Sequence, residues 1–261
     1  MHDMFRNKVK QLLRDGRPAI GAWVTINSVD VVEALSRVGL DWLLFDMEHS
    51  SLEINDLQRL LPATNGTDTA PIVRVPWNDF VTIKRVLDVG AYGIMVPWVN
   101  TREEAEAVIK ATTYPPRGIR GFGPRRAVYY GLESNEEYFR GVWDEILVIT
   151  QIETEDAISN VDEILSVSGI DVAFVGPYDL SANLGIFGNF EHPKFKSAIE
   201  KVLEACKRRG VAPGIAALSV NDAVDAIKKG FRFVSIGYDI FDLTRIYRYN
   251  VEKVRQMVRY L

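Results

Sequence analysis

Residues capable of acid–base chemistry follow an apolar run at residues 42–45. The run Trp-Leu-Leu-Phe leads into Asp46, Glu48 and His49, and His49 is one of three histidines in 261 residues. Imidazole gains and loses a proton near neutral pH, so a histidine beside carboxylates can move protons during a reaction. Taken alone, His49 would also suit a hydrogen-bonded structural role. The segment therefore predicts a site that draws on other parts of the chain.

Three more apolar runs end in side chains that suit the binding of small acids or metal ions. Their polar or pocket-forming residues are Arg74, Gln151, Glu153, Gly176, Tyr178 and Asp179. Each has a structural alternative: Asp179 could cap a helix beginning at Leu180, Glu153 could favour a helix start, and Arg74 could pair with a structural carboxylate. Considered together at one rim, they indicate a functional cluster.

The elements that must position these residues read as eight strands, each followed by a helix. Repeated β-then-α units indicate parallel strands, and eight of them in about 250 residues predict an α/β protein with a closed (β/α)8 barrel. We expect one domain over residues 1–261, with an opening helix at 4–14 and a terminal helix at 243–260. The predicted strands are 19–26, 42–49, 71–76, 93–99, 147–153, 171–176, 212–218 and 231–237. No Gly-x-Gly-x-x-Gly follows the first of them, which argues against a dinucleotide fold.

Active sites of such barrels lie at the carboxyl ends of the strands, where the polar residues fall. Two carboxylates from adjacent strands, Glu153 and Asp179, without cysteine, favour an oxygen-ligated divalent ion such as Mg²⁺ or Mn²⁺. An α-keto acid could chelate that ion, Arg74 could stabilise a developing enolate oxygen, and His49 could move protons. Every lysine falls in a predicted helix or its flanking turn. This pattern argues against an aldolase that uses a lysine Schiff base.

Composition restricts the class of protein further. The net charge is -4 and no basic block occurs, so we expect no nucleic-acid partner. No apolar run approaches the roughly 20 residues that cross a bilayer, and the amino terminus lacks the apolar core of a signal peptide. The single cysteine, Cys206, excludes an intramolecular disulfide. We expect a cytoplasmic protein that does not enter membranes.

Residues 114–131 break the alternation of strands and helices. They contain Pro115-Pro116, four glycines and four arginines without periodicity. Long irregular segments in compact domains are usually functional loops or lids. We therefore expect a functional loop or lid at this segment.

The motifs at the strand ends resemble those of the HpcH/HpaI aldolases, over nearly the whole chain and in the same order. They are Asp46-Met-Glu48-His49, Arg74-Val-Pro, Tyr114-Pro-Pro-Arg-Gly-Ile-Arg-Gly121, Gln151-Ile-Glu153 and Val175-Gly-Pro-Tyr-Asp-Leu-Ser-Ala182. The resemblance implies a class II aldolase that uses a divalent cation (Mg²⁺, Mn²⁺ or Co²⁺). Such an enzyme reversibly cleaves a 4-hydroxy-2-oxo acid, such as a 2-keto-3-deoxy sugar acid or 4-hydroxy-2-oxo-heptanedioate, to pyruvate and an aldehyde through a metal-bound enolate.

The resemblance also implies residue roles. Glu153 and Asp179 bind the metal, and Arg74 binds the pyruvate enolate. His49 and Asp46 form a proton-transfer dyad that acts through metal-bound water. Substrate contacts are implied for Arg74, Gln151, Gly176, Tyr178 and Trp23. Asp88 is either near the site or a helix-end residue.

Assembly is the other property that the resemblance implies, because the family typically forms homohexamers whose terminal helices pack across subunits. An apolar face is available for this purpose, although it could equally cover its own barrel. It comprises Ile246, Tyr249, Val254, Met257, Val258 and Leu261.

Three departures concern the aldehyde half of the substrate. Tyr178 stands where the family often has a small residue, and Gly214-Ile-Ala-Ala217 replaces a larger aliphatic end of strand seven. The loop Gly121-Phe-Gly-Pro-Arg-Arg126 puts two extra arginines near the rim, and Arg125 and Arg126 could receive an acidic or polyhydroxylated aldehyde or be solvated loop charges. A second hypothesis is that the protein is an oxaloacetate decarboxylase or a Claisen-type carbon–carbon lyase that uses the same enolate site. A third hypothesis is a barrel that binds ligands without catalysis.

Overall fold

The computed structural model describes residues 6–258, which form a closed barrel of eight parallel strands. Each strand pairs with its neighbours in sequence, and β8 closes the barrel on β1. The strands are β1 Ala19–Val24, β2 Trp42–Asp46, β3 Ala70–Arg74, β4 Gly93–Val96, β5 Leu147–Ile152, β6 Val172–Val175, β7 Ala212–Ala216 and β8 Phe233–Tyr238. The predicted α/β barrel is confirmed, and most strands end a few residues earlier than expected.

Helices follow the strands and cover the outside of the barrel. They are α1 Lys8–Arg14, α2 Val29–Ser36, α3 Ile54–Leu60, α4 Phe80–Asp88, α5 Arg102–Thr112, α6 Asn135–Glu145, α7 Glu155–Ser159, α8 Val161–Ile164, α9 Pro177–Asn183, α10 Pro193–Arg209, α11 Val220–Lys229 and α12 Asp239–Val258. Across residues 6–258, no helix has both the length and the apolar character that a bilayer crossing requires. Every lysine in the same range lies on one of these helices.

Local sequence explains most helix limits. Thr101 opens α5 with a capping box, in which its side chain accepts from the Glu104 N–H while the Glu104 side chain accepts from the Thr101 N–H. Gly210 ends α10 in the left-handed conformation, with φ 68°. The segment after β5 forms two short helices, α7 and α8, which meet at Asn160.

The barrel interior is filled by aromatic and aliphatic side chains. Trp42 stacks on Phe233 with ring centroids 4.1 Å apart, and both side chains are fully buried. Gly21 leaves room for this indole, because a Cβ built on Gly21 would lie 2.0 Å from the Trp42 ring. The amino-terminal end is closed by α1, where Lys10 Nζ lies 3.0 Å from Asp171 Oδ2. The amino-terminal end and the interior of the barrel are therefore a packed core. The carboxyl ends of the strands remain available for function.

The last helix, α12, differs from the others because none of its residues from Asp239 to Val258 is buried. Its first residue is anchored to the barrel, since the Asp239 carboxylate accepts from the backbone N–H groups of Thr25 and Ile26 at 2.8 Å each. Beyond that anchor, apolar side chains such as Ile246 and Val254 are more than half exposed. Part of the predicted opening helix, from residue 4, and Leu261 of the predicted apolar face lie outside the described residues.

Candidate active site

A cavity of about 650 Å³ opens at the carboxyl ends of the strands. The predicted residues that line it are Trp23, Asp46, His49, Arg74, Gln151, Gly176, Tyr178 and Asp179. Glu153, the remaining predicted site residue, lies behind Gly176 at the same mouth. A larger cavity of about 1060 Å³ lies at the opposite face, beside α1 and the segment before β3. Since barrel chemistry is carried out at the carboxyl ends, the smaller cavity is the candidate active site.

Arg74 is held at this mouth by two carboxylates. Its Nε and Nη2 donate to Asp46 Oδ1 and Oδ2 at 2.9 and 2.7 Å, and its Nη1 lies 3.0 Å from Glu48 Oε2. Arg74 and Asp46 are buried, with 6% and 1% of their surfaces exposed. Its guanidinium carbon also lies 4.4 Å from the ring centroid of Trp23. The guanidinium is therefore fixed, and donor capacity remains for a substrate oxygen.

The expected side-chain dyad of His49 and Asp46 is not the geometry of this structure. Asp46 Oδ1 accepts from the backbone N–H groups of Glu48 and His49, at 3.0 and 3.3 Å, while its carboxylate serves Arg74. The His49 ring instead has Glu48 as its carboxylate neighbour, with Nε2 3.8 Å from Oε2. Burial raises the pKa of Glu48, and Arg74 opposes that shift. Glu48, which has no predicted role, thus lies between Arg74 and His49.

Glu153 is a buried carboxylate held by two hydrogen bonds. Gln151 Nε2 donates to its Oε2 at 2.7 Å. The Trp98 N–H donates to Oε1 at 2.9 Å from a backbone with φ 54°, a conformation that is uncommon outside glycine. Burial raises the pKa of Glu153 to about 7, and the carboxylates of Glu48 and Asp179 add to that shift. Glu153 directly precedes α7, whose N-cap is Thr154.

Asp179 lies in the first turn of α9, a helix that begins at Pro177 and has Gly176 as its N-cap. The alternative that Asp179 caps a helix starting at Leu180 is therefore wrong. A Cβ built on Gly176 would lie 2.8 Å from Glu153 Oε2 and 3.6 Å from Asp179 Oδ2. Both carboxylates thus converge on the bare backbone of this glycine.

This pair has the donor chemistry of a hard divalent cation. Two carboxylates that face one small space, with a raised pKa on one of them, form a group that a cation would stabilise. Within residues 6–258, no group of three or more His, Cys, Asp or Glu side chains could hold a metal ion. An ion held by Glu153 and Asp179 would keep positions for water and substrate. The residues fit the predicted metal.

An aromatic wall completes the mouth, and one of its members was missed. Trp23 packs edge-on against Phe174, with centroids 6.0 Å apart, and stacks on Tyr238 at 5.2 Å and 5°. Tyr238 lines the cavity. Period-two alternation from Phe233 would place Tyr238 on the outer face of β8. The sequence pattern therefore predicts that Tyr238 lies outside the site.

Other predicted positions fall at the edge of the site or away from it. Tyr178 is 47% exposed at the rim and contacts Phe187 and Phe190. Arg126 lines the cavity at the opposite face and donates to Asn65 Oδ1 at 2.8 Å, so it does not reach the mouth of its own barrel. Asp88 pairs with the fully buried Arg120 at 2.7 Å, under the irregular loop. Within this chain, Asp88 is therefore a helix-end residue, which was one of its two predicted alternatives.

Comparison with known proteins identifies the family. The model of the HpcH/HpaI aldolase/citrate lyase family matches residues 19–245. The chain belongs to this family. It is therefore a member of an enzyme family, as the motifs predicted. A curated relative from Escherichia coli, named 4-hydroxy-2-oxo-heptane-1,7-dioate aldolase, is 39% identical over 239 residues, which cover 92% of this chain and 91% of the relative.

Solved structures similar to this chain have the same fold. A HpcH/HpaI aldolase/citrate lyase family protein from Burkholderia cenocepacia superposes with a TM-score of 0.91 at 35% identity, covering 95% of this chain and 99% of the other. A citrate synthase superposes with a TM-score of 0.85 at 26% identity, covering 95% and 97%. Proteins with similar barrels are thus named for two kinds of reaction at carbon–carbon bonds.

Proposed function

We propose that this chain is a divalent-metal-dependent class II aldolase that cleaves a 4-hydroxy-2-oxo acid to pyruvate and an aldehyde, and runs the reverse condensation. The observation that carries the proposal is the convergence of Glu153 and Asp179 on Gly176, in the same cavity as the fixed Arg74 guanidinium. A carboxylate pair and a buried guanidinium in one mouth suit the binding of an α-keto acid and the stabilisation of its enolate.

Glu153 and Asp179 would hold the metal. The chemistry such an ion supplies is Lewis-acid polarisation of a keto oxygen. Gln151 orients Glu153 through the 2.7 Å hydrogen bond, and the Trp98 N–H fixes its other oxygen. The metal need not be Mg²⁺, because Mn²⁺ and Co²⁺ also accept carboxylate ligands.

Arg74 is proposed to bind the pyruvate half. Asp46 binds the Nε and Nη2 edge of the guanidinium and Glu48 lies at Nη1, which prevents the group from rotating and leaves N–H groups for the developing enolate oxygen. Donors that need no reorganisation during the reaction are the most effective source of such stabilisation.

His49 is proposed to transfer the proton of the 4-hydroxyl group. Its side chain is 63% exposed, so a substrate in the mouth can reach it. In the cleavage direction the ring accepts the hydroxyl proton while the C3–C4 bond breaks; in the condensation direction it returns that proton. Asp46, the predicted partner of His49, accepts a hydrogen bond from the backbone N–H of His49. The carboxylate next to the His49 ring is that of Glu48.

The substrate class is proposed from the named relatives. Cleavage between C3 and C4 of 4-hydroxy-2-oxo-heptane-1,7-dioate, the substrate in the relative's name, gives pyruvate and succinic semialdehyde. The test is to incubate the purified protein with this acid and Mn²⁺ and to measure both products. Pyruvate and semialdehyde in equal amounts are expected. Their absence, together with absence of condensation between pyruvate and several aldehydes, would refute the aldolase assignment.

A second candidate function is a Claisen-type carbon–carbon lyase or oxaloacetate decarboxylase that uses the same enolate. This candidate is supported by the similarity to a citrate synthase, which is 26% identical over 95% of this chain. Both reactions need Arg74 and the carboxylate pair, so geometry at the pyruvate half does not separate them. Oxaloacetate decarboxylation without any aldehyde-dependent condensation would favour the second candidate.

A homo-oligomer, expected to be a hexamer, is proposed because α12 leaves an apolar face uncovered. Phe241 and Met257 are 66% and 71% exposed, and Ile236 at the carboxyl end of β8 is 37% exposed. Another subunit could cover these side chains. Sedimentation analysis should then give a mass several times 29.4 kDa, whereas a monomer would contradict the proposal. A single domain over residues 1–261 and a cytoplasmic location stay predictions from the sequence.

A further inference from the structure

A β-bulge near the end of β8 turns Tyr238 into the active-site cavity. Gly21 of β1 pairs with Ser235, and Trp23 pairs with Tyr238, so three steps on β8 oppose two steps on β1. Phe233 and Ser235 face the barrel interior, while Val234 packs in the outer cluster. The extra residue reverses the alternation and returns Tyr238 to the inner face. Bulges beside active sites commonly re-aim a side chain in this way.

The phenol ring is held from two sides once it faces inward. It stacks on Trp23 with centroids 5.2 Å apart and lies 5.5 Å from the ring of Phe241. Gly237 permits this local packing, because a Cβ there would lie 2.0 Å from Asp242 Oδ2. Two aromatic contacts restrict both torsions of the side chain, so its hydroxyl occupies a defined position.

The hydroxyl is a hydrogen-bond donor that the described protein does not use. Burial raises the pKa of Tyr238 to about 12, and this shift outweighs the opposing effect of Arg74. The phenol therefore keeps its proton at neutral pH. The hydrogen bonds found within residues 6–258 include none to the Tyr238 hydroxyl, although the residue is half-buried and lines the cavity. A donor in a binding cavity that no protein group satisfies is available to a ligand oxygen.

The position of Tyr238 assigns it to the aldehyde half of the substrate. Groups proposed for pyruvate and metal follow β2, β3, β5 and β6, which leaves the β7–β8 side of the mouth for the other half. That side is lined by apolar Ala216, Ala217, Leu218 and Ile236. Two of its other polar side chains are already paired: Arg245 with Asp242 at 2.7 Å, and Thr25 with Asp239 at 2.6 Å.

We propose that Tyr238 is a specificity-determining residue whose hydroxyl donates a hydrogen bond to an oxygen on the aldehyde half of the substrate. This inference rests on the proposed aldolase function. The class of aldehyde favoured is one with a hydroxyl or carboxylate oxygen, because an alkyl aldehyde of the same shape cannot accept the bond and leaves the donor unpaired.

The test compares matched aldehydes in wild type and in Tyr238→Phe, which removes only the hydroxyl. Glycolaldehyde and propanal differ by one oxygen in place of a methyl group, and succinic semialdehyde and pentanal form a longer pair. In wild type, kcat/KM for condensation with pyruvate should favour the oxygenated member. In Tyr238→Phe that preference should fall by about tenfold for a hydroxyl acceptor, and by up to about 100-fold for a carboxylate, in at least one pair.

Two measurements keep this test separate from the proposed function. Exchange of the pyruvate methyl protons with deuterated water, followed by NMR without aldehyde, reports enolate formation; its absence in the metal-loaded wild type would refute the aldolase function itself. Tyr247→Phe, on the exposed tyrosine of α12 that does not line the cavity, is the control and should keep the preference. If exchange occurs and Tyr238→Phe changes no preference, or slows both members of each pair equally, the role of Tyr238 is wrong.

Discussion

Asp46 and Arg74 are register partners on adjacent strands and are joined by two parallel hydrogen bonds of 2.9 and 2.7 Å. Asp46 is the last residue of β2 and Arg74 the last of β3, so the barrel itself sets their distance. The same Asp46 carboxylate accepts two backbone N–H groups from the segment that follows it. One aspartate thus fixes both the guanidinium and the turn that carries His49.

Arg74→Lys tests whether this planar pair matters for turnover. Lysine keeps the charge but cannot make two parallel bonds to Asp46 while it also binds a substrate oxygen. We expect kcat to fall by about 10²- to 10³-fold, the cost typical of losing a fixed oxyanion donor. Steady-state pyruvate release measures it, with circular dichroism to verify folding. Wild-type turnover in the variant would contradict the role of Arg74.

Double-mutant cycles test which carboxylate serves which partner. Asp46→Asn and Arg74→Lys should be strongly non-additive in kcat, since the two side chains share two hydrogen bonds. Asp46→Asn and His49→Gln should be nearly additive, because their contact is through the backbone. Glu48→Gln and His49→Gln should again be coupled. Strong coupling between Asp46 and His49 would contradict this assignment and support the side-chain dyad.

Gly176→Ala tests the convergence of the two carboxylates. The backbone at Gly176 has φ -88° and ψ 99°, which alanine adopts without strain. The new methyl group would lie 2.8 Å from Glu153 Oε2 and displace it. We expect the affinity for Mn²⁺, measured by calorimetry, to fall by about 10- to 100-fold. Gly141→Ala on α6, which has open space around it, is the control; equal affinities in both variants would contradict the assignment.

Glu153→Gln should affect metal-free stability in a pH-dependent way. The pKa of Glu153 in the folded protein is raised to about 7, so its ionisation opposes folding as pH rises from its ordinary value near 4.5. The glutamine variant should therefore match wild type at pH 5 and be more stable at pH 8, by on the order of 3 kcal/mol. Thermal melting in EDTA measures this difference.

Added Mn²⁺ provides the control for that melting experiment. The metal should raise the melting temperature of wild type and leave Glu153→Gln nearly unchanged, since glutamine is a much weaker ligand. A variant that is less stable than wild type at pH 8 in EDTA would show that the Glu153 carboxylate has a structural partner instead.

Much of this architecture could be predicted from the sequence, because each buried strand is a short apolar run bounded by polar residues. The polar ends also located the site, since in a closed parallel barrel all carboxyl ends meet at one mouth. Strand limits were less predictable. The run at 42–49 ends as a strand at Asp46, whose side chain takes the next backbone N–H groups out of the ladder.

What could not be predicted depends on tertiary contacts. Tyr238 was missed because a single extra residue in β8 reverses the face that period-two alternation assigns. The role of Glu48 depends on the distances to Arg74 and His49, which spacing alone does not give. Arg126 was expected near the mouth, but its loop folds back to Asn65 at the opposite face.

Metal dependence of cleavage is the most direct test of the central claim that Glu153 and Asp179 hold a divalent ion for pyruvate chemistry. Pyruvate release from 4-hydroxy-2-oxo-heptane-1,7-dioate should fall by at least about 100-fold after EDTA treatment and gel filtration, and return with Mn²⁺, Mg²⁺ or Co²⁺. Metal analysis of the same samples confirms the state of the site. Full activity in protein verified to contain no divalent metal would contradict the account.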